Sequence, residues 1–111
     1  MKTYCLALDL KDDPKLIAEY KRYHRPDQFW PDLITHIRST GVISEQIFLL
    51  GTRMVMVLLT TDEFCFKRKS DLDRSNPRMQ EWETLMNMFQ SVLPEANPGE
   101  KWVPMERIFE L

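Results

Sequence analysis

No apolar run in the chain approaches the roughly 18–20 residues that a membrane-spanning helix needs, and Asp9, Lys11, Asp12 and Asp13 arrive too early for a secretory signal. The cytoplasm is the expected compartment, with no membrane partner. Glycine is scarce, at 3 of 111 residues, and builds no phosphate loop, Gly-x-Ser-x-Gly elbow or dinucleotide fingerprint, so covalent and phosphoryl chemistry have no visible motif. Cys5 and Cys65 lack a Cys-x-x-Cys or Cys/His spacing. Both are expected as buried thiols in a reducing compartment, without a disulfide. The two histidines, His24 and His36, show no metal-ligand spacing, and neither a metal nor a cofactor is expected. Basic charge is also short: 15 Lys and Arg oppose 17 Asp and Glu, a net charge of −2, and the longest basic run is Lys67-Arg68-Lys69. A nucleic-acid partner is disfavoured.

What the chain does have is 43% hydrophobic and 11% aromatic residues, enough at this length for one core, so residues 1–111 are expected to form a single domain. Residues 3 to 10 read as a strand stopped by Lys11-Asp12-Asp13-Pro14. Asp13 suits a helix N-cap and Pro14 the first helical position, with Leu16, Ile17, Tyr20, Tyr23 and His24 at three- and four-residue steps. Arg25 to Phe29 break that helix, and Pro31 starts another, with Leu33, Ile34 and Ile37 on its apolar face and Gly41 as its stop. Residues 42 to 50 and 53 to 60 read as strands joined by a Gly51-Thr52 turn. Residues 62 to 73 are weakly patterned, with room for a short helix. Asn76-Pro77 then opens a helix striped by Met79, Trp82, Leu85, Met86 and Phe89, and Trp102 to Leu111 read as a final strand.

The order β, broken α, β, β, α, β is that of a ferredoxin-like α+β sandwich, an antiparallel sheet with helices on one face. Met54 to Leu59 leave no polar face in their strand, so both sides of the sheet need covering. A symmetric homodimer joined sheet to sheet, a dimeric α+β barrel, is the expected solution.

Tyr20-x-x-x-His24 is the strongest chemical feature, since a four-residue step on a helix stacks both side chains on one face. On residue types alone, such pairs more often pack or cap a helix than react. A helix C-terminus raises the proton affinity of His24 and burial lowers it, so the sequence fixes no sign. Trp30 and Trp82 fit a core, and each also offers a sugar an apolar face with an N–H at its edge. Glu45 and Glu106 each interrupt a strand, and a carboxylate aimed at a sheet interior needs a partner. Period two sets Glu45 with Ile43, Ile47 and Leu49.

Glu19-Tyr20-Lys21-Arg22-Tyr23-His24, followed by Trp30-Pro31-Asp32-Leu33, resembles the L-rhamnose mutarotase family, whose members carry a Glu-Tyr-x-x-x-His helix and then Trp-Pro-Glu-Leu. The likeness runs on through Gly41, the hairpin, Gln80-Glu81-Trp82 and Glu106-Arg107-Ile108-Phe109. It implies a cofactor-free dimer of ferredoxin-like subunits that interconverts the anomers of a 6-deoxy-L-hexose. By the same resemblance, His24 is the catalytic acid/base, and Tyr20 and Trp82 bind sugar; Trp30, for its indole, is a further candidate contact, and Glu45 is taken as a second acid/base or an acceptor for a sugar hydroxyl. The chain departs from the rhamnose pattern in spacing His24 and Trp30 two residues wider, and in placing Glu45 and Glu83 where that pattern has a tyrosine and a second tryptophan. Gly51-Thr52-Arg53, Gln80-Glu81-Trp82-Glu83 and Glu100-Lys101-Trp102 resemble the branch tied to L-fucose use, so L-fucose ranks above L-rhamnose as the expected monosaccharide. The competing readings are a cofactor-free oxygenase of the same dimeric barrel shape and a non-catalytic dimeric binding module. An RNA-binding sheet is rejected because residues 53 to 60 hold no aromatic.

Overall fold

The computed structural model describes residues 1–111. In order the elements are β1 (Lys2–Leu10), α1 (Pro14–Tyr23), α2 (Pro31–Ser39), β2 (Val42–Leu50), β3 (Arg53–Thr60), α3 (Phe66–Arg74), α4 (Pro77–Asn87), β4 (Gln90–Ser91) and β5 (Val103–Pro104). The sheet runs β2-β3-β1-β4, with β5 also on β1, and every pairing is antiparallel. β1 and β2 therefore flank β3 in parallel, and β3 and β4 flank β1 in the same way. These are two interleaved split βαβ units.

The helix starts follow from local chemistry. The Asp13 carboxylate accepts from the N–H groups of Lys15 and Leu16, and the Asn76 side chain does the same for Arg78 and Met79, each just ahead of a proline. Gly41 stops α2 at a φ of 98°, where an added Cβ would meet the Thr61 Oγ1 at 3.2 Å. α3 buries none of its residues; Lys67–Asp71 and Lys69–Asp73 pairs one turn apart, at 3.1 and 2.9 Å, support it instead. A helix held by charge pairs leaves no apolar stripe, so its nine residues gave only a weak sequence pattern.

The helices cover one face of the sheet. Leu8, Leu10 and Met54 meet Tyr20, Leu33, Trp82, Met86 and Phe89 in the larger core cluster, while Leu6, Val42, Leu58 and Phe64 form the smaller one. On the opposite face Phe48 is 58% exposed, and beyond it Leu50 is 86% exposed. No helix is long and apolar enough to cross a membrane.

Four sequence expectations are corrected. Trp102 to Leu111 do not form one strand: the ladder covers only Val103 and Pro104, the Met105 N–H adds a last bond to the Cys5 carbonyl at 2.8 Å, and residues 106–111 run on outside the sheet with Glu106 exposed. The edge beside β1 is instead filled by two short pieces, β4 at one end and β5 in the middle, with residues 92–102 looping between them. A bulge between Val42 and Ser44 changes the parity of β2. Val42, 3% exposed, turns into the core, and Ile43, 44% exposed, is left out of the core at the rim of a cavity. Finally, Cys5 is half-buried and Cys65 is exposed, because Cys65 occupies the N-cap position of the solvent-facing α3.

Candidate active site

His24 caps the C-terminus of α1, one turn beyond Tyr20. Its Nδ1 lies 2.7 Å from the Tyr20 carbonyl oxygen. A carbonyl only accepts, so Nδ1 carries the proton and donates it, leaving Nε2 with its lone pair and no partner in the chain. The imidazole lies 4.3 Å from the Tyr20 ring, 5.4 Å from Trp82 and 5.9 Å from Phe29, measured between centroids. Burial among these rings lowers its proton affinity below the ordinary histidine value, outweighing the opposing bond to the Tyr20 carbonyl. The sign the sequence left open is thereby fixed.

Tyr20 is buried, and its hydroxyl accepts a hydrogen bond from the Gln90 Nε2 at 3.4 Å. Burial pushes its pKa up to about 12; the Gln90 bond opposes the rise and the charge of Glu45 adds to it. The phenol stays protonated at neutral pH and serves as a hydrogen-bond donor.

Glu45 stands opposite Leu58 in the sheet register, on the helix-covered face. The residue is open to water along one side, yet enough protein surrounds its carboxyl that burial raises its pKa above the usual carboxylate range. Lys69 pulls that value down and Asp73 pushes it further up.

Two adjoining cavities, of about 500 and 480 Å³, share His24, Phe29 and Glu45 in their walls. The second extends to Tyr20, Trp82 and Gln90, and on to Lys69 and Asp73. Four of the five residues singled out in the sequence, His24, Tyr20, Trp82 and Glu45, thus line one space. Trp30 does not reach it. That ring packs edge-on against Trp82, 5.0 Å between centroids, with the Arg78 guanidinium 3.7 Å above it. Trp30 braces Trp82, and Phe29 occupies the cavity wall.

Sequence reasoning missed Phe29, Lys69, Asp73, Gln90, Lys101 and Trp102, all of which line the second cavity. Phe29 was hidden in the helix break, Lys69 and Asp73 in the unpatterned segment, and Gln90 in a strand of only two residues. His36, for which the sequence showed no role, has two hydrogen-bond partners. Asn76 uses its Oδ1 to cap α4, so its Nδ2 donates to the His36 Nδ1 at 3.0 Å, and the His36 Nε2–H donates to Asp73 at 2.7 Å. His36 is a strut joining α2, α3 and α4. No three His, Cys, Asp or Glu side chains are grouped as metal ligands.

A histidine with a free basic nitrogen and a carboxyl in one aromatic-walled cavity have the chemistry to move protons on a small polar molecule. A profile described as L-rhamnose mutarotase matches residues 3–111. An L-fucose mutarotase from Xanthomonas campestris pv. campestris is 41% identical over 111 residues, covering all of this chain and 89% of that protein. The chain belongs to the L-rhamnose mutarotase family. It is accordingly an enzyme of the sugar-mutarotase kind, an isomerase. An L-rhamnose mutarotase from Acidiphilium cryptum shares 27% identity over 96% of both chains. The crystal structure of an L-rhamnose mutarotase from Formosa agariphila, 19% identical, superposes with a TM-score of 0.73 over all of this chain and 99% of that one. The mutarotase fold is therefore α+β on an antiparallel sheet, and its helix-covered face holds the cavity described above.

Proposed function

We propose that this mutarotase interconverts the α and β anomers of a 6-deoxy-L-hexose, L-fucose in preference to L-rhamnose, with His24 and Glu45 as its proton-transfer pair. The observation that carries the reading is the unpartnered Nε2 of His24, fixed as the basic nitrogen by the Tyr20 carbonyl in a wall shared with Glu45.

The chemistry needs one base and one acid at the start. The His24 Nε2 takes the proton of the anomeric hydroxyl while the Glu45 carboxyl gives its proton to the ring oxygen, the C1–O5 bond breaks and C1 becomes an aldehyde. Rotation about C1–C2 presents the other face of the carbonyl. Closure runs in reverse: Glu45 recovers a proton from the O5 hydroxyl as that oxygen attacks C1, and the new anomeric oxygen takes the proton held by His24. Both groups end as they began. Burial favours neutral imidazole and protonated carboxyl alike, which is the starting pair the reaction uses. Tyr20 donates to a sugar oxygen, and Trp82 offers its ring to C–H groups of the sugar.

The L-fucose ranking is supported by the higher identity to the L-fucose enzyme, 41% against 27%. Of the two glutamates that replace aromatic contacts of the rhamnose pattern, Glu45 serves the proton transfer and Glu83 adds an acceptor for a sugar hydroxyl. The working unit in this reading is a homodimer in the cytoplasm. Phe48 and Leu50 on the open sheet face, with Ile108, Phe109 and Leu111 in the tail, are apolar and exposed in the single chain, and a second copy buries them.

The test is saturation transfer between the anomeric proton signals of L-fucose and L-rhamnose at equilibrium. Exchange above the buffer rate, undiminished by chelator and faster for L-fucose, is expected. Absence of acceleration with either sugar overturns the reading, and acceleration of L-rhamnose alone reverses the ranking.

A further inference from the structure

Gln90 occupies β4, opposite Leu10 of β1. It is 9% exposed, lines the second cavity, and is the residue through which β4 reaches Tyr20. One end of its amide meets the Tyr20 hydroxyl at 3.4 Å. The other end, Oε1, meets nothing: it is the one buried side-chain polar atom in the chain without a hydrogen-bond partner.

Turning the amide over does not remove the problem. The two ends of an amide differ in chemistry but not in reach, so either orientation satisfies one end at Tyr20 and orphans the other. A buried polar group without a partner is destabilising, and leucine or methionine would fill the same volume without that penalty. In native structures such a group is completed by an ordered water, an ion or a ligand, or serves a function, and this one belongs to a cavity wall that also holds His24 and Tyr20. The bond to Tyr20 is long for an N–H···O contact, which leaves the amide free to pivot toward a ligand.

We propose that Gln90 is a specificity-determining residue whose free amide end binds a ring hydroxyl of the sugar, while its other end orients the Tyr20 hydroxyl. This rests on the mutarotase reading and names a contact that the sequence pattern did not. The Gln90 Nε2 donates into the Tyr20 oxygen, so the phenol proton points elsewhere, and the two side chains together offer the sugar one acceptor and one donor. L-Fucose and L-rhamnose differ in configuration at C2 and C4, so an acceptor that reaches the sugar from one place in the wall distinguishes them by where a hydroxyl stands. A site built around a hydrogen bond rejects a ligand lacking that hydroxyl, because the buried group is then left unpaired.

The experiment measures kcat/KM above the buffer rate, by anomeric saturation transfer, for L-fucose and its 2-deoxy, 3-deoxy and 4-deoxy analogues. In the wild-type protein one analogue is expected to lose about tenfold or more, the cost of one buried hydrogen bond. In Gln90→Met, L-fucose falls to the level of that analogue and the gap between them closes to within about twofold, while discrimination at the other positions persists. In Gln90→Glu, which keeps an acceptor oxygen at the same reach, the preference for the hydroxylated sugar survives. A purely structural glutamine would lower all four sugars by one common factor. That result overturns the proposal, as does a wild-type series in which no analogue loses tenfold, whether or not the variants fold. Loss of exchange in His24→Asn with unaltered deoxy discrimination in Gln90→Met would overturn the Gln90 role and leave the mutarotase reading standing. A wild-type protein that accelerates none of these sugars overturns both.

Discussion

The rings of Tyr20 and His24 lie 4.3 Å apart, inclined by 30°, with the histidine Nδ1 tied to the tyrosine carbonyl. Asparagine at position 24 can still donate to that carbonyl but cannot exchange protons near pH 7. His24→Asn is therefore expected to lower the anomer-exchange rate by about 100-fold or more, with little change in melting temperature. Saturation transfer and a thermal melt on the same sample check both. A folded variant with wild-type exchange would shift the role to Glu45.

Acidity acts on the same ring. His24 has a folded-state pKa below the ordinary value of about 6.5, so its neutral, basic form persists further into acid than a free histidine. Exchange should hold below pH 6.5 and decline only as the lowered value is crossed. The linkage has the matching sign: the folded state binds fewer protons there, so the contribution of His24 to stability is full above the unfolded value and is lost as pH falls through the folded one. A rate–pH profile with its acid limb above pH 6.5 would contradict this.

Glu45 has the opposite sign. Its folded-state pKa is raised by burial, so its contribution is full below the unfolded value and lost as pH rises through the folded one. Glu45→Gln should melt higher than wild type near pH 7, with the advantage shrinking toward pH 4, while exchange falls. A neutral-pH melting temperature below wild type would show that the Lys69 attraction outweighs burial.

His36 predicts a loss of a different kind. Its two hydrogen bonds, at 2.7 and 3.0 Å, join Asp73 of α3 to the capping residue of α4 and are largely shielded from water. His36→Ala is expected to cost about 1–3 kcal/mol of stability, measured by urea unfolding. Exchange by the folded fraction should stay near wild type.

The exposed Phe48 and Leu50 carry the prediction of assembly. Light scattering at micromolar concentration should give about twice 13.3 kDa. Phe48→Glu should shift the population toward monomer, and a wild-type monomer would remove the dimer from the reading.

Legibility in the sequence followed the range of the interaction. Asp13-Pro14, Asn76-Pro77 and Gly51-Thr52 each set their conformation within four residues, and all three stand where their local chemistry places them. The Tyr20–His24 pair was readable because one helical turn fixes it. Ile43 was not, since a bulge depends on the strand beside it and leaves no mark in the alternation it interrupts. β4 was too short to carry a pattern, and Pro104 ended a run that composition alone would have continued. Lys69 and Asp73 reach the cavity from a helix without an apolar face, so nothing in their neighbours announced them.

The divided edge beside β1 carries a loop between its halves that Leu93, Lys101 and Trp102 pin to the fold. β4 and β5 are each anchored to β1 by their own pairs, Asp9–Ser91 with Leu10–Gln90, and Leu6–Pro104 with Ala7–Val103. Residues 92–102 hang between these two moorings, and Gly99 to Trp102 form part of the cavity wall. The loop thus shapes the cavity from outside the helix and hairpin that carry His24 and Glu45, so its exposed positions can vary the wall without altering either of those two residues.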